Sequence, residues 1–358
     1  MWVTFAPNIR NCMNKIVTTL SFLLVFLSAS SAQDQHFSQF YAAPMSLNPA
    51  LTGAMEGSYR VGTIYRDQWR KVMEQPVRTF SFFADLRFNK KGKKFTNDAF
   101  GLGIMFFNDK AGIVDFSTTQ IAVSLAYHKA LDMNKRQYLT LGMQGGLNQR
   151  NMNYGNLQFH DQFDGSSGYS LTTGEILPSN NFSFPDYSLG LNYKARIGDE
   201  NYVFVGGAMH HLFQPAVTFF GIDSLPGSKL YTRYSAQASA NIPLSKDNRV
   251  QISPRLLVAS QGPHFQVNAG ASMRFAMGQY GSTALNIGAW ARQVRNDNGT
   301  GFDAVTALVG IELNSMVMGF SYDLNPGALK ANLRQSAFEL SITYRGNYDN
   351  DDIVCPKF

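Results

Sequence analysis

Six histidines are the side chains best suited to acid–base or metal chemistry: His36, His128, His160, His210, His211 and His264. None falls in an HExxH frame, and no cysteine stands at zinc-ligand spacing from any of them. His210 and His211 are adjacent, so on a strand they point to opposite faces and cannot share one ion. His128 follows Tyr127 at a strand end, and Ser124 on the same face is too far away for a direct pair. Its expected place is a lumen or rim. Asp161 and Asp164 flank Phe163 without the spacing of an EF-hand loop. Gly101-Leu102-Gly103 lacks a βαβ setting, and neither GxSxG nor GxxxxGK[ST] occurs. No catalytic, metal or cofactor site is expected.

A second set of reactive side chains is more informative. Arg66, Asp85, Arg87, Arg274, Glu312, Asp323, Glu339 and Arg345 all fall on the polar face of segments that alternate with period two. On a lipid-facing wall such charges would cost roughly 2–4 kcal/mol each at mid-depth, so they belong in a lumen. There they can cross-link opposing walls, set selectivity or dock a partner.

The elements that position them are strands. Phe338, Leu340, Ile342 and Tyr344 share one face, and Glu339, Ser341, Thr343 and Arg345 the other. Met316 to Asp323 and Phe265 to Arg274 repeat the pattern, and about fourteen such segments follow Tyr59. Each is near the length needed to cross a bilayer at a tilt. A soluble sandwich could use the same alternation. Aromatic strand ends, polar faces rich in Gly, Ser, Asn and Gln, and strands that follow one another without helices favour a transmembrane antiparallel up-and-down β-barrel. Connections alternate accordingly. The expected inner turns are Asn89–Asp98, Lys129–Gln137, Gly198–Asn201, Ile242–Asn248, Gly278–Gly281 and Asn314–Ser315. The expected outer loops include Asn148–Asp186, His211–Leu230, Gln293–Gly301 and Asn325–Ala337.

Composition agrees. The 358 residues are 44% hydrophobic and only 16% charged, with 28 Phe, 16 Tyr and 31 Gly, against roughly 25% charged for a soluble domain. Disorder, collagen and coiled coil are excluded. Mean hydropathy is −0.17 and only one apolar run exists, so a helical polytopic membrane protein is excluded too. That run, Ile16 to Leu27, follows Lys15 and precedes Ser28-Ala29-Ser30-Ser31-Ala32, the three parts of a secretory signal peptide. Residues 1–32 are read as that signal, with Met13 as the start and Gln33 as the first mature residue. The formal charge of +6 then falls by Arg10 and Lys15. Lys90, Lys91, Lys93 and Lys94 form a short run broken by Gly92, read as a solvated turn, and no nucleic-acid partner is expected. Cys355 is the one mature cysteine and cannot form an internal disulfide. The domain reading is a periplasmic N-terminal segment over 33–57, whose Phe37, Phe40, Tyr41, Met45 and Leu47 are apolar enough to fold back into the lumen or bind a neighbour, a barrel over 58–346 and a periplasmic tail over 347–358.

Particular stretches also carry a family resemblance. Gln33 to Tyr41 with Pro44, then Leu47-Asn48-Pro49-Ala50-Leu51-Thr52-Gly53, resembles the mature N-terminus of the PorP/SprF family. Tyr65-Arg66-Asp67-Gln68-Trp69, Phe80 to Arg87, Gly101-Leu102-Gly103 with Phe107-Asn108-Asp109, Pro185-Asp186, His211-Leu212 with Gln214-Pro215, and Gly319 to Leu324 agree. So does Cys355-Pro356-Lys357-Phe358, where arginine is commoner than Lys357. The chain departs from the pattern at Ala291. The resemblance implies a non-enzymatic outer-membrane barrel of the type IX secretion system, serving export or surface attachment of secreted proteins such as gliding adhesins. Implied partners are outer-membrane lipid, periplasmic and outer-membrane components of that machinery, and a secreted surface-protein substrate. Asn48, Pro49, Gly53, Trp69, Cys355, Pro356 and Phe358 are the candidate motif and docking residues. A porin for small solutes and a soluble adhesin are the competing readings.

Overall fold

Period-two alternation with no edge to spare leads to a closed ring. A computed structural model describes residue 34 and residues 36–347, apart from 72, 90–96, 113, 135, 167, 198–200, 221–227, 246, 278–282, 297–298 and 326–335. The signal-peptide reading, the lysine run and Cys355, Pro356 and Phe358 lie outside the described residues. Fourteen strands follow in order: β1 (Tyr59–Gln68), β2 (Val77–Asn89), β3 (Ala99–Ala111), β4 (Phe116–Ala130), β5 (Gln137–Asn151), β6 (Asn181–Ile197), β7 (Asn201–His210), β8 (Arg233–Pro243), β9 (Val250–Gln261), β10 (His264–Met277), β11 (Thr283–Asn296), β12 (Gly299–Leu313), β13 (Met316–Leu324) and β14 (Ser336–Gly346). Each pairs antiparallel with its chain neighbours, and β1 pairs with β14 to close the barrel. Closure leaves no unpaired strand edge, the condition for a sheet in lipid.

Six connections at one end are the expected short turns. The opposite end carries the longer connections 152–180, 211–232 and 325–335. The expected loop Asn148–Asp186 is shorter than read, because β5 runs to Asn151 and β6 starts at Asn181. Gln293–Gly301 shrinks for the same reason.

Side chains sort as the alternation requires. In β14, Leu340 is 47% exposed on the outer face, whereas Ser341 is 6% exposed and points inward. On a barrel that spans a bilayer, outward exposure is contact with lipid. Leu340→Arg is therefore expected to cost roughly 2–4 kcal/mol of folding free energy if it lies at mid-depth, and Thr343→Arg far less. Urea unfolding in liposomes measures both, and equal losses would contradict the register. Ser341 is not a suitable mild control. Its hydroxyl donates to Gln39 Oε1 at 2.7 Å, so a long side chain there meets the lumen contents.

Those contents come from the N-terminal segment, in one of the two places that the sequence reading leaves open for it. Residues 36–57 lie within the barrel, not beside it. Asp34 sits at the long-loop end, where its backbone N–H donates to Gln261 at the close of β9. Gly53 sits at the short-turn end, against Leu86, Gly101 and His128. Counting wall strands places both ends of the barrel domain on one side. It misses this further pass inside the lumen. The segment contains a 3-10 turn at Phe40–Ala42, a short helix α1 (Pro44–Leu47) and a second 3-10 turn at Pro49–Leu51.

The lumen is accordingly not polar throughout. Phe40 and Leu47 pack on Leu257, Trp290 and Leu308. Phe37, Ala42 and Ala43 pack on Ile64, and Met45 on Phe83, Met105 and Ala122. These inward apolar residues have an apolar partner to cover, which an open aqueous pore would not supply.

Candidate functional site: a plug and its latches

Wall glycines make the seat. A Cβ at Gly142 would fall on the backbone of Pro49 and Ala50, one at Gly190 on Asn48 Oδ1, and one at Gly101 on the Thr52 carbonyl. Asn48, fully buried, accepts from the Ala50 N–H at 2.8 Å. Its amide donates to the carbonyls of Leu191 and Gly207, each at 3.1 Å. Gly53 adopts φ +69°, a region open to glycine. Its N–H donates to Asp85 at 2.7 Å, and its carbonyl accepts from Arg87 at 2.8 Å. Asn48, Pro49 and Gly53, read as candidate motif and docking residues, thus contact the lumen wall. Trp69 instead stands just past β1 at the long-loop end, with φ 64°. Its N–H donates to Ser336 and its carbonyl accepts from Met73.

Histidines hold the plug as well. His128 Nε2 meets the Thr52 carbonyl at 2.9 Å and its Nδ1 meets Thr140 at 2.8 Å. His210 joins Ser188 to the Leu47 carbonyl. Ser124 accepts from Gln144. Ser124 and His128 thus have other partners and do not pair with each other.

Three of the predicted lumen charges, Arg66, Asp323 and Glu339, gather around the plug's first turn. Glu339 accepts the N–H groups of Ser38 and Gln39 at 2.6 and 2.8 Å. Arg66 bridges Glu339 and Asp323 and donates to the Ser38 hydroxyl. Arg292 reaches Asp323 at 3.0 Å, Ser38 at 2.7 Å and Asp303. Asp323 also accepts from the Ser38 hydroxyl and Thr306. Asp85 forms a two-point pair with Arg60 at 2.9 and 2.7 Å. Arg274 pairs with Glu312 at 2.7 Å, away from the latches. Arg345 is exposed at the short-turn rim.

A second latch was not legible in the alternation. His211 follows the last residue of β7 with φ +57°, which turns its ring back inside rather than to the opposite face from His210. Its Nδ1 donates to Asp186 at 2.9 Å and its Nε2 to Asp34 at 2.6 Å. Two carboxylate acceptors require the doubly protonated ring. Burial opposes that charge, but Asp34 and Asp186 outweigh it and raise the imidazolium to about 10. Burial likewise opposes ionisation of Asp34, while His211 and Arg233 hold its carboxyl below the ordinary range.

The sign follows. A histidine raised from 6.5 to about 10 stabilises the latch fully below pH 6.5, and the contribution is lost as pH rises through about 10. The melting-temperature gap between the wild type and His211→Gln should be largest near pH 6 and vanish above about pH 10. A gap that grows with pH would refute this.

With the plug and its latches placed, comparison with known proteins becomes informative. The model of the type IX secretion system membrane protein PorP/SprF family matches residues 29–344. The chain belongs to this family. Among curated proteins none matches by sequence. Similar solved structures include a deltaS2 mutant of the TodX monoaromatic hydrocarbon channel. It is 10% identical, covers 86% of this chain and 94% of that one, and gives a TM-score of 0.51. The Ralstonia pickettii toluene transporter TbuX is also 10% identical, over 89% and 97%, with a TM-score of 0.48. The likeness is one of fold. In this PorP/SprF barrel, the stretches that carried the resemblance largely line the plug: Leu47–Gly53 are part of it, and Arg66, Asp85, Arg87, Gly101, Asp186, His211, Ser321 and Asp323 touch it or its latches.

Proposed function

We propose that this chain serves the type IX secretion system from the outer membrane as a closed, partner-binding barrel without enzymatic activity. It acts in export or surface attachment of specific secreted proteins, gliding adhesins among them. One observation supports this reading most: residues 36–57 cross the lumen, largely buried and hydrogen-bonded near both ends to charged wall residues. A solute porin needs that space as water. With 36–57 committed to the lumen, the periplasmic tail over 347–358, with Cys355, Pro356 and Phe358, is the segment assigned to docking components of the machinery. Deleting Asp349–Phe358 should leave a heat-modifiable barrel in the membrane while export of its surface substrate fails. Full export by the truncated barrel would overturn the docking role. Porin-sized conductance of the unaltered barrel in planar bilayers would overturn the closed state.

A further inference from the structure

We propose that the lumen wall of β6–β10 is a binding face for an extended acidic peptide, which takes the place of the plug. The proposal rests on the secretion reading for the kind of macromolecule that reaches the lumen. The face itself is built from two neighbouring rows of inward side chains.

The first row runs Asn192, Gly206, Gln237, Leu257, Asn268 across five adjacent strands. Its amides are buried: Asn192 is 1%, Gln237 8% and Asn268 0% exposed. Asn192 Oδ1 and both polar atoms of Gln237 and of Asn268 have no hydrogen-bond partner. Such groups are normally satisfied, and leaving them bare costs stability. What covers this row is the apolar part of the plug, since Leu257 packs with Phe40 and Leu47. The plug therefore masks donors and acceptors that it cannot engage. A polypeptide backbone supplies both complements.

The second row lies one step closer to the short-turn end and runs Lys194, Phe204, Ser239, Arg255, Gly270. Lys194 Nζ rests 5.0 Å from the Tyr202 ring centre and 5.4 Å from that of Phe204. The Arg255 guanidinium lies 3.9 Å from the ring centre of Tyr41, a plug residue, with a long contact to Ser272 at 3.4 Å. Neither cation forms an ion pair among the described residues; Glu56 of the plug acts on Lys194 only through space. Three strand spacings separate them, about 14 Å. Carboxylates four residues apart on an extended chain span about 13 Å. Half-buried cations such as these favour counter-ions. The match in spacing, sign and amide chemistry is what selects an acidic peptide.

The test uses the full-length barrel in detergent and a fluorescent extended peptide with glutamates four residues apart, read by anisotropy at low salt. Binding should weaken about tenfold in Lys194→Gln and in Arg255→Gln, and fall similarly when the peptide glutamates become glutamines. It should strengthen about tenfold in Gly142→Val, which unseats the plug at β5, the strand next to this face. Heat modifiability checks that each variant is folded. Equal affinity for the two peptides, or binding indifferent to both cation substitutions, overturns the proposal. So does Arg255-dependent capture of an acidic oligosaccharide with no capture of peptide. Any of these results in a barrel that stays non-conducting leaves the closed-barrel reading intact, so the two fail separately.

Discussion

Gly142→Val will convert a non-conducting barrel into one with steady current steps in planar bilayers. A Cβ at 142 would overlap the Pro49–Ala50 backbone, and backbone in a 3-10 turn cannot yield as a flexible side-chain tip can. Overpacking of this kind costs about 1–3 kcal/mol or more when the neighbour is rigid. The strand itself does not suffer, because valine favours the pleated wall. The plug, whose anchor at Asn48 is adjacent, is the part that moves. Gly145→Val is the control: its new Cβ would meet only the Tyr187 ring, at 3.5 Å, on the outer face. It should leave the barrel closed. Identical current from both variants would mean that the Asn48–Gly53 seat does not hold the lumen shut.

The contrast between these two glycines shows how far the sequence could be read. Leu340 against Ser341, or Phe320 against Ser321, announces a wall strand residue by residue, because period two is local. Strand number, turn ends and most lumen charges follow from that local rule. The plug obeys no period. Phe40, Met45 and Leu47 belong to short helical turns whose burial depends on walls from tens to hundreds of residues away. The inward apolar residues Ile64, Phe83, Leu257 and Leu308 break the polar-lumen rule for the same reason. Arg60 and Arg292 lie on the inward face of β1 and β11, so the alternation could have found them. Arg60 stands directly opposite its partner Asp85 on β2, but the plug partner of Arg292 could not be found that way: Arg292 meets Ser38 across 254 positions. His211 was misplaced because a single left-handed residue re-aims the chain, and no pattern of neighbours reports that turn.

Arg66→Met is expected to cost about 3–5 kcal/mol, the usual penalty for stranding a buried charge. Arg66 is 2% exposed and Glu339 1%, so water cannot replace the lost guanidinium. Asp323 keeps Arg292 at 3.0 Å, whereas Glu339 keeps only two plug N–H groups and a long contact from Ser321 at 3.4 Å. The damage therefore concentrates at Glu339. Adding Glu339→Gln to Arg66→Met removes the stranded charge and should recover part of the loss. A double-mutant cycle from urea unfolding should give a coupling energy above about 1.5 kcal/mol. Additive losses would mean the pair is not coupled in the folded barrel. The same substitution reads out on the plug, because Glu339 is what fixes the N–H groups of Ser38 and Gln39. Arg66→Met should accordingly flicker open in planar bilayers at low denaturant, before the wall unfolds. The barrel strands, held by their own ladder, should melt later and together.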